Sequence, residues 1–146
     1  LSLNEVSIKS KAARIISLEV KIEGRPHGIY RGDGLIVATP SGSTGYSLSC
    51  GGPIIDPLLD VLMLTPIASY QLGKRPLVVA ASKEIEIMPR EGEEYYVAVD
   101  GQVCMNFTAD GSVHIKKADQ GLKLAIVKPR FFFETMVERL QRDQNG

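Results

Sequence analysis

Apolar and polar residues alternate along much of the chain, which indicates β-strands more often than helices. Between residues 16 and 23 the apolar side chains fall at every second position, as in a strand that buries one face. Residues 24–26, Gly-Arg-Pro, are expected to end this strand. Short apolar runs at 34–38, 76–81 and 84–88 predict further strands.

The alternation is most regular between residues 95 and 127, where Asp100-Gly101, Asp110-Gly111 and Asp119-Gln120-Gly121 separate apolar segments. Asp-Gly favours the positive φ angles of tight hairpin turns, whose twist matches that of the flanking strands. We therefore predict an antiparallel meander in this region. Its buried faces are predicted to contain Val97, Val99, Val103, Met105, Phe107, Val113, Ile115, Leu122, Leu124 and Ile126.

Helical patterns are short and confined to two places. A helical repeat follows Pro129, with apolar residues at Phe133, Met136, Val137 and Leu140. A short helix is also predicted near Thr44, because Ser43 and Thr44 are suitable N-cap residues. The fold is therefore predicted to be mainly β: an antiparallel β-sandwich or layered sheet, with a short helix after the Gly-Ser-Thr motif and a C-terminal helix.

The composition fits one globular domain, residues 1–146, and excludes several classes of function. A 44% hydrophobic content is enough to bury a core without disulfides or metals. The 17 Lys and Arg residues balance the 17 Asp and Glu residues, so there is no broad basic field for nucleic acid. No apolar stretch approaches the roughly 20 residues of a membrane span, and no signal-peptide pattern begins the chain. We expect a cytoplasmic protein without nucleic-acid or membrane partners, in which Cys50 and Cys104 are buried thiols.

The segment from Gly32 to Pro53 carries the candidate chemistry. It reads GDGLIVATPSGSTGYSLSCGGP and is dense in glycine and hydroxyl side chains. Glycines let a backbone approach a ligand closely, hydroxyls donate and accept hydrogen bonds, and Tyr46 offers a flat face for a base. Neither of the usual phosphate loops, GxxxxGK[ST] or GxGxxG, is present. Composition alone therefore favours an ordinary surface loop.

The same segment resembles the long signature of NAD kinases, GDGxxVxTPxGSTxYxxSxGGP. Leu3-Asn4-Glu5-Val6 resembles the shorter Asn-Glu motif that precedes it in that family, and Asp100-Gly101-Gln102 is similar to a third family element. The resemblance implies transfer of a phosphoryl group from ATP, or in some members from polyphosphate, to the 2′-hydroxyl of the adenosine ribose of NAD. It also implies NAD and ATP as substrates, Mg²⁺ bound with ATP, and a homo-oligomer that is a dimer or a tetramer.

Residue roles follow from the resemblance, beginning with the two motifs that would surround adenosine. Asn4 would hydrogen-bond the adenine side of NAD, and Glu5 would hold ribose hydroxyls. Ser41 and Thr44 would contact adenine. Gly45 would allow the close approach of the ligand.

Four further residues complete the set that the resemblance implies. Tyr46 would line the adenosine and phosphate region, and Ser49 would lie near the ribose. Asp33 resembles the aspartate that reaches the nicotinamide half of NAD bound to a neighbouring subunit. Ala68 matches a position that some bacterial members use across the same interface.

Several of these roles have a structural alternative. Asn4 and Glu5 could instead cap or stabilise a turn. Tyr46 could be a core aromatic residue, and Asp33 could serve only its Gly-Asp-Gly turn. Asp100 is predicted to be a hairpin residue rather than a catalytic one.

One family element is missing from the sequence: the Gly-Gly-Asp-Gly segment, which supplies the presumed general base and belongs to an N-terminal α/β domain. Since the chain begins at Leu1 rather than Met, we expect an excised fragment that holds no catalytic residue or metal ligand and is inactive alone. Two rival hypotheses stay open. One is a lipid or sphingoid kinase-like domain of the same superfamily, and the other is a non-catalytic oligomerisation domain that binds adenine nucleotides.

Overall fold

The computed structural model of the chain describes residues 1–12, 14–90, 94–108, 110–123, 125 and 131–136, and of residues 103 and 104 only the backbone. Within these ranges the regular structure is mostly β, as the alternating pattern predicts. The strands are β1 (Glu5–Ser10), β2 (Ile16–Ile22), β3 (Arg25–Gly32), β4 (Gly34–Ala38), β5 (Val61–Ile67), β6 (Leu77–Ala80), β7 (Ile85–Pro89), β8 (Tyr95–Val99), β9 (Gln102–Phe107) and β10 (Val113–Ile115). A 3₁₀ helix, η1 (Ser41–Thr44), and an α-helix, α1 (Tyr46–Ser49), connect β4 to β5.

The strands form two antiparallel sheets. The larger sheet has six strands in the order β6-β5-β4-β1-β8-β9, and the smaller has four in the order β10-β7-β2-β3. Side chains from both sheets form one buried apolar cluster, so the sheets pack face to face. The predicted antiparallel sandwich is confirmed.

The cluster between the sheets follows from the period-two pattern of the strands. On β2, Ile16, Leu18 and Val20 are buried, whereas the polar residues between them are only half-buried. The other members come from both sheets and are Ile8, Tyr30, Leu35, Val37, Leu62, Leu64, Ala81, Ile85, Ile87, Tyr95 and Val97. We call the side of the six-stranded sheet that contributes to this cluster its inner face.

A second, smaller cluster lies on the outer face of the six-stranded sheet. Its buried members are Ile36, Ala38, Ile55, Met63 and Ile67, with Tyr46, Cys50 and Val61 packed against them. Because α1 covers this face, all five residues of β4 are buried. That explains why β4 reads as a continuous apolar run instead of an alternating one. Cys50 is half-buried rather than fully buried.

β2 ends at Ile22, before the Gly-Arg-Pro segment as predicted, but Arg25 and Pro26 belong to the next strand of the same sheet. Glu23 and Gly24 form a tight turn with φ angles of 54° and 70°, and the chain returns as β3. Positive φ at both central residues suits the twist of a two-residue hairpin. Pro26 is tolerated because β3 is an edge strand, where a missing N–H costs no ladder hydrogen bond on the open side.

The first hairpin of the predicted meander is confirmed, and the second is wrong. β8 and β9 pair around Asp100-Gly101, but β10 pairs with β7 in the other sheet. The expected burial of Met105 and Leu122 is wrong, since their exposed fractions are 58% and 67%. Met105 lies on β9, which has one neighbouring strand, β8, within the described residues.

The remaining residues of the predicted meander faces divide into two groups. Val97 is buried, and Val99, Phe107, Val113 and Ile115 pack against the inner cluster. The side chain of Val103, and residues Leu124 and Ile126, lie outside what the structure describes.

Both predicted helices have described residues, but the capping prediction is wrong. Gly45 precedes α1, and neither Ser43 nor Thr44 caps a helix with its side chain. The Ser43 hydroxyl instead accepts a hydrogen bond from the backbone N–H of Ile55 at 3.1 Å, because it points into the protein. At the C-terminus residues 132–136 are helical, whereas Val137 and Leu140 fall outside the described residues.

No helix among the described residues is long and apolar enough to cross a membrane.

Candidate functional site

The N-terminal segment lies against the loop that follows β4. The backbone N–H of Thr39 donates to the carbonyl of Asn4 at 2.8 Å, and the Thr39 hydroxyl donates to the carbonyl of Leu3 at 2.6 Å. The same hydroxyl accepts from the N–H of Gly42 at 3.2 Å. One threonine therefore ties the Asn-Glu motif to the start of the long motif.

Gly42 permits this contact because it has no side chain. A methyl group at this position would overlap the backbone carbonyl of Asn4. Real Cβ atoms do not approach backbone so closely, so any other residue would push the two motifs apart. The two motifs identified in the sequence are thus brought together by backbone contacts.

Glu5 begins β1 and points to the outer face of the six-stranded sheet. The opposite side of β1 contributes Val6 and Ile8 to the inner cluster, so Glu5, Ser7 and Lys9 share the outer side. Only 9% of Glu5 is exposed. Burial raises the pKa of its carboxyl, and the negative charge of Asp100 raises it further.

The Glu5 carboxylate reaches the loop between η1 and α1. Its Oε2 lies 3.6 Å from the position that a Cβ would take on Gly45. Asn4 and Glu5 were also considered as residues that stabilise a turn. Their backbone N–H groups do form such hydrogen bonds, but neither side chain makes a hydrogen bond among the described residues. A carboxylate in this setting can accept hydrogen bonds from two hydroxyls of a ligand.

Lys9 lies beside Tyr46, and the sequence analysis did not single it out. The Lys9 ammonium donates to the Tyr46 hydroxyl at 3.3 Å and is 5.5 Å from the centre of the ring. The hydrogen bond that Lys9 donates to Tyr46 raises the pKa of Lys9, although burial opposes this shift. The period of two along β1, which puts Lys9 on the same side as Glu5, is the signal that could have identified it.

The surroundings of Tyr46 fit its structural alternative, a packed aromatic residue whose hydroxyl has a partner. Tyr46 packs against the outer cluster as a half-buried aromatic residue, and its hydroxyl contacts the Lys9 cation. An aromatic ring beside a cation suits a ligand that has both a base and an anionic group.

Buried hydroxyls hold the covering loop on the sheet. Ser47 on α1 and Thr65 on β5 are fully buried, and their hydroxyl oxygens are 2.7 Å apart. A Cβ on Gly52 would overlap the Ser47 hydroxyl, so Gly52 must lack a side chain. These residues, together with Ser43, have structural partners inside the protein.

The hydroxyl residues assigned to adenine and ribose have a different environment. Ser41 and Ser49 are exposed, Gly45 is exposed, and Thr44 is half-buried. The loop therefore separates its polar residues into internal anchors and surface groups. Sequence alone does not distinguish these two sets.

Asp100 has a larger role than the predicted hairpin turn. It does occupy the turn between β8 and β9, with a φ of 49°. Its carboxylate also accepts hydrogen bonds from the Ser2 hydroxyl and from the backbone N–H groups of Leu3, Asn4 and Glu5, at 2.7 to 3.1 Å. The side chain therefore joins the hairpin to the Asn-Glu motif.

Asp33 and Ala68 lie together, away from the Asn-Glu motif. The backbone N–H of Asp33 donates to the carbonyl of Ile67 at 2.9 Å, and both Asp33 and Ala68 are exposed. They are at the Gly34 end of β4, whereas Glu5 pairs with Ala38 at the other end. At about 3.3 Å per residue, the two ends of this strand are about 13 Å apart.

A groove of about 920 Å³ opens on another side of the N-terminal segment. Ser41 and Asp100 line it, as do residues 114–118, but Glu5, Thr44 and Tyr46 do not. The candidate site is the polar part of the outer face, and the groove borders it at Ser41.

Comparison with known proteins gives matches over most of the chain. A family model described as the ATP-NAD kinase C-terminal domain matches residues 3–127. The chain is 39% identical to an NAD kinase of Geobacter sulfurreducens over 141 residues, which covers 95% of this chain and 50% of that protein. It is 42% identical over 142 residues to an NAD kinase of Citrifermentans bemidjiense, with coverage of 95% and 49%.

Two solved structures of NAD and NADH kinases also match the chain. An NAD kinase from Archaeoglobus fulgidus in complex with ATP matches with a TM-score of 0.73 and 37% identity, covering 82% of this chain and 46% of that one. A yeast NADH kinase complexed with NADH matches with a TM-score of 0.68 and 28% identity, covering 80% and 38%. The chain spans about half the length of the curated relatives that it matches.

Proposed function

Because the chain belongs to the ATP-NAD kinase C-terminal domain family, we propose that it is the NAD-binding part of an NAD kinase. The reaction would move a phosphoryl group from ATP or polyphosphate to the 2′-hydroxyl of the adenosine ribose of NAD. The observation that carries the proposal is the contact between the Asn4-Glu5 segment and the loop of residues 39–46. The matches to NAD kinases favour a dinucleotide over the lipid or sphingoid alcohol of the rival hypothesis.

The outer face offers the groups that an adenosine moiety requires. We assign the Asn4 amide to adenine and the Glu5 carboxylate to the ribose hydroxyls, because an amide donates and accepts whereas a carboxylate accepts twice. Ser41 and Thr44 supply hydroxyls for adenine. The exposed backbone at Gly45 leaves room for close approach.

The other end of the adenosine lies toward α1 in this proposal. Tyr46 and Ser49 would line the ribose and phosphate side, and Lys9 would place a positive charge next to the Tyr46 ring. Phosphoryl transfer depends mostly on positioning and on neutralising charge, so this chain contributes by orienting the acceptor hydroxyl.

The general base and the ATP phosphate site are not assigned to any residue of this chain. The Gly-Gly-Asp-Gly sequence that the family uses there does not occur in residues 1–146. We therefore propose that this chain alone binds NAD and does not form NADP. We also propose that Mg²⁺ is bound together with the ATP substrate.

Assembly and location are also proposals. A homo-oligomer, either a dimer or a tetramer, would let Asp33 and Ala68 reach the nicotinamide half of NAD held by a neighbouring subunit. Their exposure, and their distance from Glu5 along β4, support this arrangement. We place the enzyme in the cytoplasm.

Calorimetry of NAD binding, with Glu5→Gln as the site variant, tests the proposal. The unchanged chain should bind NAD, and Glu5→Gln should bind about tenfold or more weakly, because a carboxylate forms stronger hydrogen bonds to ribose hydroxyls than an amide oxygen does. Glu94→Gln is the matched control, since Glu94 is exposed and forms an ion pair with Lys11 at 3.0 Å. Absence of heat from the unchanged chain at high NAD concentration would refute the proposal.

A further inference from the structure

We propose that Asp100 is a positioning residue for NAD binding, because its carboxylate fixes the backbone from which Asn4 and Glu5 project. This inference rests on the proposed function of the Asn4-Glu5 segment. It gives Asp100 a role beyond the hairpin turn that its sequence context predicts.

The geometry around the carboxylate is specific. Oδ1 accepts from the Ser2 hydroxyl at 2.7 Å, from the N–H of Asn4 at 2.7 Å and from the N–H of Glu5 at 3.1 Å. Oδ2 accepts from the N–H of Leu3 at 2.9 Å. Three successive amides that converge on one anion allow the backbone little freedom to rotate.

A backbone hydrogen bond closes the arrangement from the other side. The N–H of Asp100 donates to the carbonyl of Glu5 at 2.9 Å. The carbonyl of Asn4, which points elsewhere, accepts from Thr39 at 2.8 Å. The peptide groups on both sides of Asn4 and Glu5 are therefore held, so the directions of the two side chains are fixed.

The charge of Asp100 is stable over the working range of pH. Burial disfavours the ionised carboxyl, but the hydrogen bonds from Leu3, Ser2, Asn4 and Glu5 outweigh it and lower its pKa from 3.8 to about 2. Because the pKa of Asp100 is lower in the folded chain than in the unfolded chain, its ionised carboxylate stabilises the fold at pH values above the unfolded pKa. This stabilisation is lost as the pH falls through the folded-state pKa. At neutral pH the carboxylate is fully ionised.

The turn and the carboxylate can be separated by mutation. Asp100 has a φ of 49°, and Asn and Gly both adopt this left-handed conformation readily. Asp100→Asn keeps the shape but removes the charge, whereas Asp100→Gly keeps the turn and removes the whole side chain. If the residue served only the hairpin, neither substitution would affect the N-terminal segment.

The binding test compares these variants with the unchanged chain by calorimetry. We expect Asp100→Asn to bind NAD about tenfold more weakly, because its hydrogen bonds are no longer assisted by charge. Asp100→Gly should bind more weakly still, because it loses these hydrogen bonds altogether. Asp110→Asn is the matched control, because Asp110 occupies the next Asp-Gly turn and makes no hydrogen bond to residues 2–5. Equal affinity of all four proteins would overturn the inference.

A second measurement does not depend on NAD. The amide signals of Leu3, Asn4 and Glu5 in an NMR spectrum should change little between pH 5 and pH 3, because the carboxylate that they contact titrates near pH 2. In Asp100→Asn these signals should move and exchange faster with solvent. A titration midpoint near 3.8 in the unchanged chain, or unchanged signals in the variant, would contradict the inference.

The two measurements distinguish the two proposals. If the unchanged chain fails to bind NAD, the proposed function is wrong. If it binds NAD, and Asp100→Asn binds equally well with its Asn4 and Glu5 amides undisturbed, only the role of Asp100 is wrong.

Discussion

The two faces of the six-stranded sheet are built from the same strands but differ in their chemistry. The inner cluster contains aliphatic side chains and two tyrosines. The five buried polar residues of the described chain, Glu5, Ser7, Ser43, Ser47 and Thr65, all lie on the outer face or in the helices that cover it. The inner face therefore carries the larger apolar cluster, and the outer face carries a smaller cluster and the candidate site.

This difference shows how a β-sandwich can carry a candidate binding site on one face of a sheet and keep its apolar core on the other. Successive side chains of β1, β4 and β5 point to opposite faces, so one set packs between the sheets while the other set forms the outer cluster and carries the buried polar residues. Buried polar groups are costly unless they have partners, which explains the pairing of Ser47 with Thr65. Ser7 and Glu5 have no side-chain hydrogen bond among the described residues.

Removing a core side chain should have the largest effect, and only on stability. Leu18→Ala deletes most of a side chain that is 1% exposed, which should lower the free energy of unfolding by about 2–5 kcal/mol in urea denaturation. Ser17→Ala, on the half-buried side of the same strand, is the control. If the folded variant also bound NAD much more weakly, the separation of the two faces would be wrong.

Forcing the two motifs apart should have the next largest effect. Gly42→Ala puts a methyl group where the Asn4 carbonyl lies, which should cost about 1–3 kcal/mol of stability and most of the NAD affinity. Gly73→Ala is the matched control, since nothing lies within 4 Å of its Cβ position. NAD titrations of both variants check this, and equal affinities would show that the contact with Asn4 is unimportant.

Breaking the buried hydroxyl pair should have a moderate effect. Thr65→Val keeps the shape but leaves the Ser47 hydroxyl buried without its partner, which should cost about 1–3 kcal/mol. The double variant with Ser47→Ala should recover part of that loss. Denaturation of the two single variants and the double variant measures the coupling, and strict additivity would contradict it.

Neutralising Lys9 should have the smallest effect and should act on binding alone. Lys9→Met keeps the length of the side chain but removes the charge beside Tyr46, so NAD affinity should fall about threefold at low salt and less at high salt. Lys11→Met is the control, because Lys11 is exposed and pairs with Glu94. Affinity that stays the same at every salt concentration would remove Lys9 from the site.

Much of the sandwich could be predicted from alternation, but not the strands whose patterns are mixed. β2 and the β8–β9 hairpin follow from a period of two and an Asp-Gly turn. β5 was not predicted, since it is buried on both faces and contains Pro66. β10 was assigned to the wrong sheet, because local turn chemistry does not determine which distant strand a segment joins.

The candidate site could also be predicted only in part from the sequence. The motifs identified Asn4, Glu5 and Tyr46, and the structure brings their segments to one face. The hydrogen bonds of the Asp100 carboxylate join residues more than ninety positions apart in the sequence, such as Ser2 and Asp100. No local sequence pattern can therefore predict them. The role of Gly42 also depends on the N-terminal segment that packs against it.

Mapping of NAD onto the chain by NMR tests the central claim most directly. On addition of NAD, the amide signals of residues 4–5 and 41–49 should move together, while those of β2 and β7 in the four-stranded sheet stay in place. Signals that move only in the four-stranded sheet, or an outer face that does not respond at saturating NAD, would contradict the assignment of the site to this face.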